Sequence, residues 1–116
     1  MLRKYPKILF VFGDNMLEQG MGGQAKEMRG EPNAVGIPTK FLPSYEDKAF
    51  FSDDDLYRVK YRIDDRVLKL FCHASDDGQI VWPKAGIGTG LADLRNKAPA
   101  IWDLIEKYRL ALERLT

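Results

Sequence analysis

The feature that most constrains this chain is an apolar run followed at once by a glycine-rich segment. The run extends from Ile8 to Phe12 and has the length and composition of a strand buried on both faces. Four glycines lie between positions 13 and 23, and residues 24–29 after them can form a helix. Strand, glycine turn and helix in this order can bind phosphate, because glycine lets the backbone approach an anion and a helix N-terminus offers free N–H groups.

A second glycine cluster follows the second clear strand, predicted at 79–82. The cluster has the sequence Gly-Ile-Gly-Thr-Gly and occupies residues 86–90. We expect the two loops to face one ligand. The alternative is that the glycines only form turns, which is a common use of glycine in loops.

Strand and helix patterns alternate along the chain. Strands are predicted at 7–12, 34–37 and 79–82, and helices at about 22–29, 52–74 and 98–115. This alternation predicts a small three-layer α/β/α domain of Rossmann-like architecture, with a short, mainly parallel sheet. Right-handed crossovers favour the strand order 2-1-3. Ligands of such sheets bind where the strand order reverses, between strands one and three, and the two glycine loops leave those strands.

Length and composition exclude several classes of function. The 116 residues suit a single domain, spanning 1–116, and the net charge of +1 gives no basic excess for binding nucleic acid. Cys72 and His73 are the only residues of their types, so we expect no disulfide framework and no Cys/His metal site. We also expect no cofactor. No apolar stretch is long enough to span a membrane, and we expect a cytoplasmic protein.

Polar residues follow the predicted strands at the expected site. Asp14 and Asn15 come directly after the first strand, where a carboxylate can act as acid or base and an amide can orient a ligand or a water. Their alternative role is local turn chemistry. Thr39 and Lys40 follow the second strand and Lys84 the third, so all three can reach an anion at the same sheet end. Their alternative roles are strand termination and an ordinary solvated lysine.

The two loops together resemble those of the macrodomain and macrodomain-like group, which binds ADP-ribose. The likeness rests on Gly13-Asp14-Asn15, on the segment from Gly20 to Ala25, on residues 37–40 and on the late Gly-Ile-Gly-Thr-Gly loop. The same motifs look like those of a short, mostly uncharacterised bacterial and phage branch of that group. The chain is shorter than a usual macrodomain.

The resemblance implies roles for individual residues. Asn15 would hold a ribose hydroxyl or orient a water, and the early loop would offer backbone N–H groups to a phosphate or to the distal ribose. The late loop would surround the diphosphate. The ligand-binding residues predicted in this way, with those from strand ends, are Gly13, Gly20, Gly22, Gly23, Gln24, Thr39, Lys40, Lys84, Gly86, Ile87, Gly88, Thr89 and Gly90.

Three functions are compatible with this pattern. The first is a module that binds ADP-ribose or a related NAD-derived nucleotide. The second is a hydrolase acting on ADP-ribosylated protein or on an NAD-derived nucleotide, with Asp14 and Asn15 as catalytic residues. The third is a non-catalytic interaction protein without a nucleotide ligand. Loops and fold alone do not decide among them.

Overall fold

A computed structural model describes residues 7–20, 25–44, 46–90 and 92–115. Its three strands form one parallel sheet in the order β2-β1-β3, as the alternating pattern predicts. The sheet and its helices make a small α/β domain. The strands are β1 (Ile8–Asn15), β2 (Ala34–Lys40) and β3 (Gln79–Val81), and the helices are α1 (Ala25–Met28), α2 (Leu56–Ser75), α3 (Leu94–Lys97) and α4 (Pro99–Leu115).

Two strands are longer than their apolar runs. β1 continues through Asp14 and Asn15, and β2 continues through Pro38 to Lys40. A proline was expected to end β2, because it cannot donate a ladder hydrogen bond. It is tolerated here because β2 is an edge strand, where an outward-facing nitrogen needs no partner. The longer strands bring Asp14 opposite Pro38 in the ladder, with a register shift after Asp14.

The two faces of the sheet are covered by different helices. Val11 and its neighbours on β2 face the main core, which α2 and α4 complete with residues at helical spacing. Phe12 points to the opposite face, where the Arg29 guanidinium at the end of α1 lies 5.7 Å from its ring centroid. The buried residues of α2 and α4 are Val59, Ile63, Val67, Leu70, Ala74, Ile101, Ile105 and Leu112.

The segment after β3 is tied into the core. Ile87 is fully buried and packs in the same cluster as Leu94, the first residue of α3. Helix α3 was not predicted, because four residues are too few for a periodic pattern. Among the helices that the model describes, none has both the length and the apolar character needed to cross a membrane.

Candidate functional site

The predicted site lies beyond the carboxyl ends of β1 and β3, which are neighbours in the sheet. β3 ends at Val81, opposite Phe10, whereas β1 continues to Asn15. Gly13 belongs to β1 itself, and Gly20 enters the first glycine loop with a φ of +93°. The predicted ligand-binding residues Gly22, Gly23 and Gln24 lie outside the described residues.

Asp14 is held by an arginine. Its side chain is 5% exposed and accepts two hydrogen bonds from the guanidinium of Arg29, at 2.6 and 3.3 Å. It also accepts the backbone N–H of Asn15 at 2.8 Å. Two guanidinium bonds to one carboxylate form a strong, directional pair, and burial makes the loss of either partner costly.

Arg29 also fixes the entry to the first glycine loop. Its Nε donates to the carbonyl of Gly20 at 2.7 Å, and one of its terminal nitrogens donates to the carbonyl of Gln19 at 3.1 Å. One side chain thus joins the end of β1, the loop entry and the end of α1. Arg29 was not among the site residues predicted from the sequence. The signal that could have identified it is the buried carboxylate at position 14, which requires a cationic partner.

Asn15 organises the backbone that follows it. Its amide nitrogen donates to the carbonyl of Gln19 at 2.7 Å, and its amide oxygen accepts the backbone N–H groups of Leu17 and Gln19 at 3.1 and 3.4 Å. Asparagine commonly closes turns in this way. The side chain is buried, and both its amide nitrogen and its amide oxygen are hydrogen-bonded. Asn15 therefore has the turn-closing role that was the alternative to ligand binding.

Thr39 and Lys40 finish β2 beside this turn. The Thr39 hydroxyl is buried and donates to the carbonyl of Asp14 at 3.0 Å, which joins the ends of β1 and β2. The Lys40 ammonium donates to the carbonyl of Ser44 at 2.9 Å and lies 5.0 Å from the centroid of the Phe50 ring. Burial lowers the pKa of Lys40 from its usual value.

The second glycine loop has a backbone of alternating handedness. Gly86 and Gly88 have φ angles of +92° and +77°, whereas Ile87 between them has a negative φ. The carbonyls of Gly88 and Gly90 accept hydrogen bonds from Leu94 and Asp93, at 2.9 and 3.0 Å. Within the described part of the chain, the backbone N–H groups of residues 88–90 donate to no acceptor. Successive N–H groups on such a backbone form a concave nest that favours an anion.

The side chains of this loop have internal roles. Ile87 is in the core, so only its backbone can contact a ligand. A Cβ on Gly88 would lie 2.8 Å from atoms of Leu94, so this glycine is needed for packing as well as for its positive φ. Thr89 donates its hydroxyl to the carbonyl of Ala85 at 2.8 Å. Gly90 differs from the others, since a Cβ there would meet no atom within 4 Å and its φ is not positive.

Cationic side chains surround this end of the sheet. Lys84 is exposed in the segment between β3 and the second glycine loop. Lys97 of α3 lies 4.4 Å from the Phe50 ring, on which Lys40 also packs. The fold therefore brings Lys97, which follows the second loop, close to Lys40, which follows β2. The sequence analysis identified Lys40 and Lys84 but had no motif to indicate Lys97.

A second ionisable cluster lies between α2 and α4. Asp64 accepts hydrogen bonds from Lys60 and from the Tyr108 hydroxyl. Burial alone would raise the pKa of Asp64, but the two hydrogen bonds outweigh it and hold that pKa below its usual value. Burial, and then the bond to Asp64, raises the pKa of Tyr108. The cluster links the two helices.

Two other findings bear on ligands. Among residues 7–20, 25–44, 46–90 and 92–115, no three His, Cys, Asp or Glu side chains are grouped so that they could hold a metal ion. A cavity of about 240 Å³ lies beside β2, and Asp14 of β1 forms part of its wall. The cavity thus includes Asp14 of the predicted site but none of residues 86–90 of the second glycine loop.

Comparison with known proteins adds a family but no function. Residues 1–108 match a family model that is described as a family of unknown function. The chain belongs to this family, DUF7831. Searches of curated proteins and of solved structures gave no match. None of these comparisons links the chain to macrodomains.

Proposed function

We propose that this chain binds a phosphate-bearing nucleotide of the ADP-ribose type in the crevice beyond the carboxyl ends of β1 and β3. The observation that carries the proposal is the backbone of residues 86–90. Its alternating φ signs turn the carbonyls of Gly88 and Gly90 towards the chain and leave three successive N–H groups without an acceptor in the described residues. This is the arrangement by which a loop holds a phosphate.

Topology and charge support the same location. With the strand order β2-β1-β3, the reversal point lies between β1 and β3, and the second loop follows β3 after residues 82–85. Lys84 and Lys97 flank this loop in sequence and Lys40 lies close to Lys97, so a diphosphate would meet positive charge there. ADP-ribose is the specific ligand that the resemblance to macrodomains suggests.

Binding without turnover is the form of this function that the side chains favour. A hydrolase on this site would use Asp14 as acid or base, but its carboxylate is buried and paired with Arg29. Asn15 directs both ends of its amide to the turn after β1, which leaves little capacity to orient a water. Hydrolysis of an ADP-ribosylated substrate would require these contacts to rearrange.

The test is thermal unfolding with ADP-ribose, NAD, ADP and inorganic pyrophosphate, and with adenosine as the control that lacks phosphate. A ligand that binds the native state at about one hundred times its Kd adds about 2.7 kcal/mol to stability, or roughly 10 °C in Tm. We expect ADP-ribose to raise the Tm and adenosine to leave it unchanged. No shift with any phosphate compound would refute nucleotide binding.

Gly90→Ala is the sharpest variant for locating the ligand. The added methyl meets no atom of the described chain and needs no unusual φ, so stability should change by less than about 1 kcal/mol. It should nevertheless weaken ADP-ribose binding, because the added methyl group would hinder the approach of the phosphate to the loop backbone. Lys84→Gln should also weaken binding, whereas Lys107→Gln on α4 removes the same charge and should have no effect. Equal affinity in all three variants would place the ligand elsewhere.

A further inference from the structure

The cavity beside β2 is lined by charged side chains from three parts of the chain. Arg29 comes from the end of α1, Arg66 and Lys69 come from α2, and Glu18 comes from the turn after β1. Its volume of about 240 Å³ is suited to a small molecule or to one group of a larger one. None of its three cations was among the site residues expected from the glycine loops.

The two ion pairs in this cavity differ in how firmly they are held. Asp14 is 5% exposed and holds Arg29 through two hydrogen bonds from the interior of the fold. Glu18, which pairs with Arg66, has a half-exposed side chain and a backbone φ of +56°. A non-glycine residue at positive φ is strained, and an exposed ion pair contributes little stability. The Glu18 carboxylate is therefore the exchangeable partner.

The positive charge in the cavity exceeds the negative charge. Arg29 and Arg66 are each matched by one carboxylate, and Lys69 is exposed with no ion pair in the described residues. An anion that displaced Glu18 would meet the guanidinium of Arg66 and the ammonium of Lys69 together. A guanidinium binds carboxylate and phosphate oxygens especially well, because its N–H groups form a planar fork.

The backbone of β2 favours a small anion over an added strand. The carbonyl of Asn33 accepts a bond from β1, so alternate residues from Ala34 onward direct their backbone groups outward. Of these, the N–H of Ala34 bonds to Glu31 and Pro38 has no N–H. The N–H of Gly36 is thus the outward donor within this stretch, and one donor does not make a strand-pairing edge. It adds a further donor for an oxyanion.

We propose that the cavity beside β2 is a second ligand site, which binds a small molecule through a carboxylate or phosphate group. The group bonds to Arg66 and Lys69 and displaces Glu18, which occupies Arg66 when no ligand is present. The site includes none of residues 86–90 of the second glycine loop and does not depend on nucleotide binding at that loop.

The experiment is a titration of ¹⁵N-labelled protein at constant ionic strength with inorganic phosphate and, separately, with succinate. We expect a saturable shift of the Gly36 amide, and the probe that saturates at lower concentration identifies phosphate or carboxylate as the preferred group. The Gly90 amide reports on the crevice in the same spectra. A shift of Gly36 without Gly90 supports this site even where ADP-ribose fails to bind, and a shift of Gly90 alone with both probes overturns it.

Three variants and one control test the assignment of side chains. Glu18→Gln should tighten binding about two- to five-fold, because it removes the competing carboxylate. Arg66→Gln should weaken it on the order of tenfold, and Lys69→Gln, at an exposed position where folding is not at risk, should weaken it less. Lys107→Gln removes an exposed charge outside the cavity and should leave the titration unchanged. Equal affinity in Glu18→Gln, Lys69→Gln and the wild type would overturn the proposal.

Discussion

Replacement of Arg29 by methionine isolates the contact on which the end of β1 depends. The variant keeps an unbranched apolar stem over Phe12 and removes the guanidinium from the Asp14 carboxylate. Breaking a buried ion pair costs about 3–5 kcal/mol when one charge is left without a partner. Asp14 keeps the bond from the Asn15 N–H, and Arg29 is 18% exposed, so the pair is not fully desolvated. We therefore expect the free energy of unfolding to fall by about 2–4 kcal/mol, which is somewhat less than the cost of breaking a fully buried pair.

The assay is urea unfolding followed by circular dichroism, in a double-mutant cycle with Asp14→Ala. Asp14→Ala leaves a guanidinium that can still reach water and the carbonyls of Gln19 and Gly20, so it should cost less than Arg29→Met. The double variant should be more stable than Arg29→Met alone, because the orphaned carboxylate is gone. A loss below about 1 kcal/mol in Arg29→Met, or single effects that simply add, would refute the account of this pair.

Three further predictions concern other contacts. Gly88→Ala should destabilise the fold by about 1–3 kcal/mol in urea unfolding, because its methyl would clash with Leu94 at a positive φ; an unchanged midpoint would contradict this. Tyr108→Phe should remove about 1 kcal/mol at neutral pH by deleting the bond to Asp64. The contribution of Asp64 is present above its unfolded-state pKa and is lost as pH falls through its lowered folded-state pKa, so the wild type should lose more stability than the variant between about pH 5 and about pH 2. His73→Ala should cost about 1 kcal/mol without changing ligand affinity in titrations, since its Nε2 lies 2.9 and 3.0 Å from carbonyls at the starts of β1 and β3, at the opposite end of the sheet from the proposed site.

The order of the strands could be predicted because it follows from rules of chain connection. Right-handed crossovers between parallel strands allow few arrangements for three strands, and the order 2-1-3 is confirmed. The positions of α2 and α4 followed from apolar residues repeated at helical spacing. These signals are distributed over many residues, so single exceptions do not obscure them.

The ends of the strands were harder to predict, because they depend on tertiary position. A proline ends a strand in the interior of a sheet but is tolerated in a strand at its edge, as Pro38 is in β2. The local sequence does not show which of the two positions the strand has. Asp14 is polar and so appeared to lie beyond β1, although Arg29 allows it to be buried within the strand. That partner lies fifteen positions away, and no local pattern indicates it.

The candidate site shows the same limit at the level of single residues. The sequence marks the second glycine loop by its three glycines, of which Gly86 and Gly88 have positive φ angles. The sequence alone does not distinguish a glycine that is required for packing from one that tolerates substitution, because both are the same residue type. Gly88 is fixed by Leu94, whereas Gly90 faces open space. Substitution at Gly88 therefore tests the fold, and substitution at Gly90 tests the ligand.

The ion pair of Asp14 also links the fold to the proposed binding of nucleotide. Arg29 fixes the carbonyls of Gln19 and Gly20, which lead directly into the first glycine loop. If that loop holds part of the ligand, its N–H groups must be oriented before binding, or the ligand must supply the cost of ordering them. Arg29 is then a positioning residue: Arg29→Met would weaken ADP-ribose binding even at temperatures where the variant is fully folded, and Gly90→Ala would weaken binding with no loss of stability. Arg29→Met therefore tests whether the first glycine loop must be held in place for binding. Gly90→Ala tests whether the second glycine loop contacts the ligand.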